Sequence, residues 1–271
     1  MRQRYRMSTA PPLPEDLFDR ISGRRWLSKC DCRAAFNQLP LSLEDQEKTS
    51  FWWNNALWMY TRLMYGARRA TAQYQRVMSH HIRKAGLQDF VFVFVDDCLI
   101  ASDTAEEHEE HLRRFFAMMR GIGIKLHPEK TIIAADVVEF LGFLVSADGL
   151  RPTQAKVAAI QAIQPPCTLT ELQSILGICN YYRCFLPGYS TITAPLNELT
   201  RKGVVWGPNT WQPRHQAALD QLKAEFSKEG LLLRRVDPTR PLLLHTDFST
   251  LGISAVLGQL DDEGNEYMCA A

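Results

Sequence analysis

Two adjacent carboxylates, Asp96 and Asp97, interrupt a run of strand-forming residues at positions 90–102 (FVFVFVDDCLIAS), and a third, Asp31, closes the alternating stretch at 26–31. Like charges held side by side raise each other's pKa, and desolvation adds to the cost unless a cation sits between them. Ligation by oxygen alone suits Mg²⁺ or Mn²⁺. Two such ions about 3.5 to 4 Å apart clamp the attacking and leaving oxygens of an in-line phosphoryl transfer. An Asp-Asp pair is also a common hairpin turn, because both residues tolerate turn geometry, and alone it permits that structural reading. The apolar runs on either side, FVFVFV and CLIA, imply instead a cleft at the charged tip.

The three acids converge only if the strand that ends at Asp31 lies beside the hairpin in one sheet. The surrounding pattern supplies such strands and the helices to cover them. SFWW-NN-ALWMY is a hairpin signal with Asn54 and Asn55 at the turn. Residues 67–85 read as a helix stopped by Gly86. A second helix is predicted at 103–120, capped by Asp103 or Thr104, with glutamates early, arginines late, and Leu112, Phe115, Phe116 and Met119 as its buried stripe. Short strands follow through the segment KLHPEKTIIAADVVEFLGFLVSADGL. From Thr153 to Thr200 the chain is helical, and a further helix carries Leu219, Leu222 and Phe226 on one side. The last thirty or so residues return to strands and turns.

Composition narrows the classes. With 271 residues, 46% hydrophobic and 23% charged, the chain has the make-up of an ordinary globular protein. Seven scattered cysteines suit small buried residues in a reducing compartment, and alternation puts Cys30 and Cys32 on the face opposite Asp31. Net charge is +1, so no global signal announces a polyanion. Arg68, Arg69, Arg76, Arg83 and Lys84 cluster locally, as a phosphate patch or as a solvated helix face. His108 and His111 share a helix face among glutamates and arginines, which reads as solvated surface. His80 and His81 point to different faces. No G-x-S-x-G elbow and no phosphate loop is present. No apolar run is long enough to span a bilayer and no secretory leader is evident, so an intracellular, cytoplasmic location without a membrane partner is the expectation.

These segments, in order, resemble the reverse transcriptase of a gypsy-type LTR retrotransposon. WLSKCDCRAAFNQLPL, KTSFWW with LWMYTRLMYG, FVDDCLIAS, and EEHEEHLRRFFAMMRGIGIKLHPEK with VEFLGFLVSADGL resemble successive palm motifs. LTELQSILGICNYYRCFLPGYSTITAPLNELT resembles the thumb, and LLLHTDFSTLGISAVLGQ the opening strands of a tethered ribonuclease H.

The resemblance implies an α+β fold: a polymerase palm with an antiparallel sheet and packed helices, a helical thumb, and a truncated ribonuclease H-like α/β stub. It places the palm with residual fingers at 1–150, the thumb at 151–202, a connection at 203–240 and the ribonuclease H-like part at 241–271. It assigns Asp31, Asp96 and Asp97 to two Mg²⁺ or Mn²⁺ ions, Phe36 to a gate against the ribose 2′-hydroxyl, and Tyr65 and Lys130 to the incoming nucleotide. Leu141 and Gly142 belong to the primer grip, and Asp247 matches the first metal-binding acid of ribonuclease H. The implied partners are an RNA or DNA template-primer and deoxynucleoside triphosphates, and no feature sets an oligomeric state. Met64, Ala67, Arg69 and Thr71 depart from the family's usual residues along the nucleotide pocket, and Phe94 replaces its tyrosine. The family's fingers lie upstream of the Pro-Leu-Pro segment and further nuclease acids lie downstream. The expectation is therefore a polymerase by descent with no nuclease activity, the alternative being an inactive remnant that at most binds nucleic acid.

Overall fold

Alternating apolar residues build the centre of the first of two compact units into which the chain divides after Phe140. The computed structural model describes residues 14–21, 23–228, 231–248 and 253–271. In the first unit, helix α1 (Pro14–Ile21) and strand β1 (Trp26–Asp31) lead through a 3₁₀ turn at Ala35–Gln38 and a short helix α2 (Leu43–Glu47) to a hairpin of β2 (Phe51–Trp53) and β3 (Ala56–Trp58). Helix α3 (Ala70–Lys84), the hairpin β4 (Val91–Phe94) and β5 (Asp97–Ser102), helix α4 (Ala105–Ile122), a 3₁₀ turn at Pro128–Lys130, and strands β6 (Ile132–Ala135) and β7 (Val137–Phe140) complete it.

The main sheet runs β4-β5-β1-β6 and is antiparallel at every junction. Period-two alternation sorts its side chains. Val91, Val93, Cys30, Cys32, Cys98 and Ile100 face Tyr74, Met78 and Ile82 of α3 and Phe115 and Met119 of α4 in one buried core. Phe92 lies on the other face, where the Arg20 guanidinium of α1 stands 5.1 Å from its ring centre. Burial pushes the Cys30 thiol up to about 12, in keeping with an inert core residue.

Local signals explain the boundaries. Asn54 and Asn55 both adopt positive φ, 48° and 57°, as a two-residue hairpin loop requires. Helix α4 begins at a capping box of Thr104 and Glu107 and ends at Gly123 in the left-handed region. The sequence reading of His108 as solvated surface is overturned. His108 is 2% exposed, with Ser28 Oγ at 2.7 Å and Ser102 Oγ at 2.8 Å from its two ring nitrogens. It falls on the same stripe as Phe115 and Met119, and the two serines supply the polar partners a buried imidazole needs.

The second unit opens with the hairpin β8 (Phe143–Ser146) and β9 (Gly149–Pro152), followed by α5 (Gln154–Gln161), α6 (Leu169–Tyr181), α7 (Tyr189–Glu198) and α8 (Pro213–Phe226). Strands β10 (Leu243–Phe248), β11 (Ile253–Leu260) and β12 (Glu266–Ala270) form an antiparallel sheet in that order. Leu219, Leu222 and Phe226 of α8 are buried on one side, and Leu172, Leu196, Leu199 and Ala218 share a core. Gly149 is obligatory: its φ is +135°, and a Cβ there would stand 2.1 Å from the Leu233 carbonyl oxygen. Among the described residues, no helix is long and apolar enough to cross a membrane.

Candidate active site

The end of β1 and the tip of the β4–β5 hairpin meet in register. Asp31 is the direct cross-strand partner of Asp97, and the Cys32 N–H donates to the Asp96 carbonyl at 3.0 Å. A hydrogen-bonded pair one step beyond makes Asp31 and Asp97 a non-hydrogen-bonded pair, the position where facing Cα atoms approach to about 4.5 Å. Both carboxylates therefore leave the sheet on one face, with Asp96 beside them in the exposed turn. The cysteines behind them fill the opposite, buried face.

The turn itself is strained. Val95, a β-branched residue, sits at φ 56°. Gln75 of α3, 5% exposed, holds it there: its amide nitrogen donates to the Val93 carbonyl at 2.9 Å and its oxygen accepts the Val95 N–H at 2.7 Å.

Two ammonium groups stand on the carboxylates. Lys29 Nζ lies 3.3 Å from Asp97 Oδ1, and Lys130 Nζ lies 3.6 Å from Asp31 Oδ2. Lys130 is delivered by a loop pinned to β1, since the His127 N–H donates to the Asp31 carbonyl at 2.8 Å and the Arg33 N–H to the Lys125 carbonyl at 3.0 Å. Burial raises the pKa of Asp97; Lys29 opposes the shift, and Asp96 and Asp31 add to it. Three acids of this kind offer oxygen ligands suited by type to a hard divalent cation. Among the described residues, no three His, Cys, Asp or Glu side chains are arranged to hold a metal ion; Asp31 and Asp97 face lysines instead.

Phe36, on the 3₁₀ turn just after β1, has its ring centre 5.2 Å from that of Tyr65 and 5.8 Å from that of Tyr74. Tyr65 is exposed, whereas Tyr74 is buried with its hydroxyl lacking an ordinary hydrogen-bond partner. Phe36 and Tyr65 are thus brought together, as are Asp31, Asp96, Asp97 and Lys130. Leu141 and Gly142 belong to the second unit, where they form a turn at φ 53° and 80° before β8. The Tyr181 hydroxyl donates to the Leu141 carbonyl at 2.8 Å and the Tyr182 hydroxyl to the Gly142 carbonyl at 3.2 Å. Asp247 lies on β10, in register with Ser254, and its side chain is outside the described residues.

Sequence reading missed Lys29 and Gln75. Lys29 was legible, because a residue two before Asp31 in a strand shares its face. Gln75 carried a weaker signal, as a polar residue on the buried side of α3 beside Tyr74 and Met78.

An antiparallel sheet that gathers acids at a hairpin tip, backed by two helices, has the architecture of a polymerase palm. The profile of the family described as reverse transcriptase (RNA-dependent DNA polymerase) matches residues 3–145, more than half of the chain. The chain belongs to the reverse transcriptase family. A second profile, the RNase H-like domain found in reverse transcriptase, matches residues 211–271. The chain is 29% identical to the retrovirus-related Pol polyprotein from transposon gypsy of Drosophila melanogaster, over 94% of this chain and 25% of that protein. It is 28% identical to the transposon Tf2-3 polyprotein of Schizosaccharomyces pombe, over 94% of this chain and 19% of that one. It thus spans about a quarter or less of these curated relatives. Among solved structures it resembles the foamy viral protease-reverse transcriptase, in complex with double-stranded DNA (TM-score 0.81, 25% identity, 97% of this chain and 45% of that one) and with an RNA/DNA hybrid (TM-score 0.78, 25% identity, 97% and 35%).

Proposed function

We propose that this chain carries the polymerising centre of an RNA-directed DNA polymerase, which extends a primer on an RNA or DNA template with deoxynucleoside triphosphates. The observation that carries the reading is the register of Asp31 opposite Asp97, with Asp96 tied to Cys32, the residue that follows β1. Asp31 and Asp96, with Asp97 beside them, would hold two Mg²⁺ or Mn²⁺ ions, which would supply charge stabilisation for phosphoryl transfer. Lys130 neutralises charge on the triphosphate or donates a proton to the departing pyrophosphate. Phe36 and Tyr65 form an aromatic wall under the incoming sugar, where a ring leaves no room for a 2′-hydroxyl.

In this reading residues 1–150 are palm with residual fingers, 151–202 thumb, 203–240 connection and 241–271 ribonuclease H-like. Leu141 and Gly142 grip the primer end, and Asp247 is an acid of the ribonuclease H-like part. The foamy viral structures with nucleic acid support the choice of partner. Primer extension with Mg²⁺ and deoxynucleotides tests the proposal. Incorporation that is abolished by Asp96→Asn supports it; no incorporation at any concentration of the chain overturns it.

A further inference from the structure

No Asp or Glu occurs between Glu47 and Asp89, yet α3 and the turn that leads into it hold Arg68, Arg69, Arg76, Arg83 and Lys84. The helix sorts these cations onto one side. Arg76, His80 and Arg83 are four and three residues apart, opposite Tyr74, Met78 and Ile82, and all three are exposed. Arg76 precedes Arg83 by two turns, so these two arginines stand roughly 10 Å apart along the helix. A nucleic-acid strand carries one negative charge per nucleotide, so two cations at that spacing can meet separate phosphates of one strand.

These cations are uncompensated. Among the described residues, no carboxylate pairs with Arg68, Arg69, Arg76, Arg83 or Lys84; Arg83 only donates from Nε to the Ser79 carbonyl of its own helix. The adjacent helix behaves differently, since Arg113 of α4 pairs with Glu109 and Arg24 pairs with Asp103 near its start. At the C-terminal end of α3, Lys84 shares a shallow groove with Arg114, and no carboxylate lines it.

The row does not belong to the carboxylate cleft. α3 packs on the sheet face that carries Cys30, Cys32 and Cys98, whereas Asp31 and Asp97 leave from the other. We infer that the outer face of α3 binds the phosphate backbone of nucleic acid, without sequence preference, at a site separate from the catalytic cleft. The choice of nucleic acid over other polyanions rests on the polymerase reading above; the existence of a polyanion site does not.

The test uses the full chain with Arg76→Glu/Arg83→Glu, checked for an unchanged circular dichroism spectrum and melting temperature, and labelled single-stranded RNA and DNA titrated at several salt concentrations. Loss of two phosphate contacts makes the slope of log affinity against log salt shallower by about 1.4 for single strands, with binding at least about tenfold weaker at low salt. Should charge reversal unfold the chain, Arg76→Gln/Arg83→Gln repeats the measurement. Slope and affinity equal to those of the parent chain overturn the inference, as does a parent chain that binds neither strand. A variant that loses binding to phosphatidylserine vesicles while keeping RNA affinity overturns nucleic acid as the partner. Asp96→Asn keeps the parent slope if the two sites are separate. A chain that never extends a primer but shows the arginine-dependent slope loses the polymerase proposal and keeps this one.

Discussion

Val95 holds a backbone conformation that costs a β-branched residue about 1–3 kcal/mol, and such strain persists only where neighbours over-determine it. Gln75 is that neighbour, through two hydrogen bonds from a buried amide, one to the Val93 carbonyl of β4 and one from the Val95 N–H of the turn. Its action on the acids is indirect: it touches neither Asp96 nor Asp97 side chains but sets the backbone that carries them. Replacing it with leucine leaves the buried Val93 carbonyl unpaired, at roughly 1–3 kcal/mol, and removes the partner of the half-buried Val95 N–H. Gln75→Leu is expected to lower the urea midpoint accordingly and to cut nucleotide incorporation with little change in template binding. A variant with the parent's midpoint and rate would show that the turn holds its shape unaided.

At the scale of elements, α4 is fastened to the sheet by imidazoles rather than by apolar contact alone. His108 lies between Ser28 of β1 and Ser102 of β5, Ser102 also meets His111 Nδ1 at 2.8 Å, and the His111 ring stacks on Phe90 at 3.5 Å. The Ala134 N–H donates to Ser28 Oγ, which ties β6 into the same cluster. Burial lowers the pKa of both histidines, with the charge of His111 adding to the effect at His108 and Glu107 opposing it at His111. With folded pKa values below the unfolded value of about 6.5, the unfolded chain binds more protons below neutrality. The stability is therefore fully present above about pH 6.5 and falls as pH drops through and below that value. Urea midpoints measured from pH 7.5 to 5 should decline in the parent chain and decline less steeply in His108→Gln. Equal slopes would assign the acid sensitivity to other groups.

For the whole molecule, a net charge of +1 means that affinity for a polyanion or a metal must come from local placement, not from overall charge. The carboxylate site concentrates negative charge at one sheet end, where Lys29 and Lys130 now balance it. An ion bound only by the folded chain adds to stability by mass action, about 2.7 kcal/mol at a hundred times its Kd. Mn²⁺ is expected to raise the melting temperature of the parent chain and to leave that of Asp31→Asn unmoved. A parent chain indifferent to Mn²⁺ would mean that these acids share no ion.

The sequence by itself determined the local vocabulary: alternation in β1 and β5, the asparagine turn after Trp53, a cap at Asp103 or Thr104 for α4, and the face on which each cysteine or aspartate stands. Those features are set by neighbours within a few residues, and their periods survive any tertiary arrangement. The order β4-β5-β1-β6 was decided only in three dimensions, and with it the meeting of Asp31 and Asp97 across 66 positions of chain. Alternation says which way a side chain points and nothing of which strand lies beside it. The burial of His108 was likewise a tertiary outcome, because the serine that satisfies one ring nitrogen comes from 80 residues away. A polar group can enter a core only when the packed structure supplies its hydrogen-bond partners, and no local pattern contains that information.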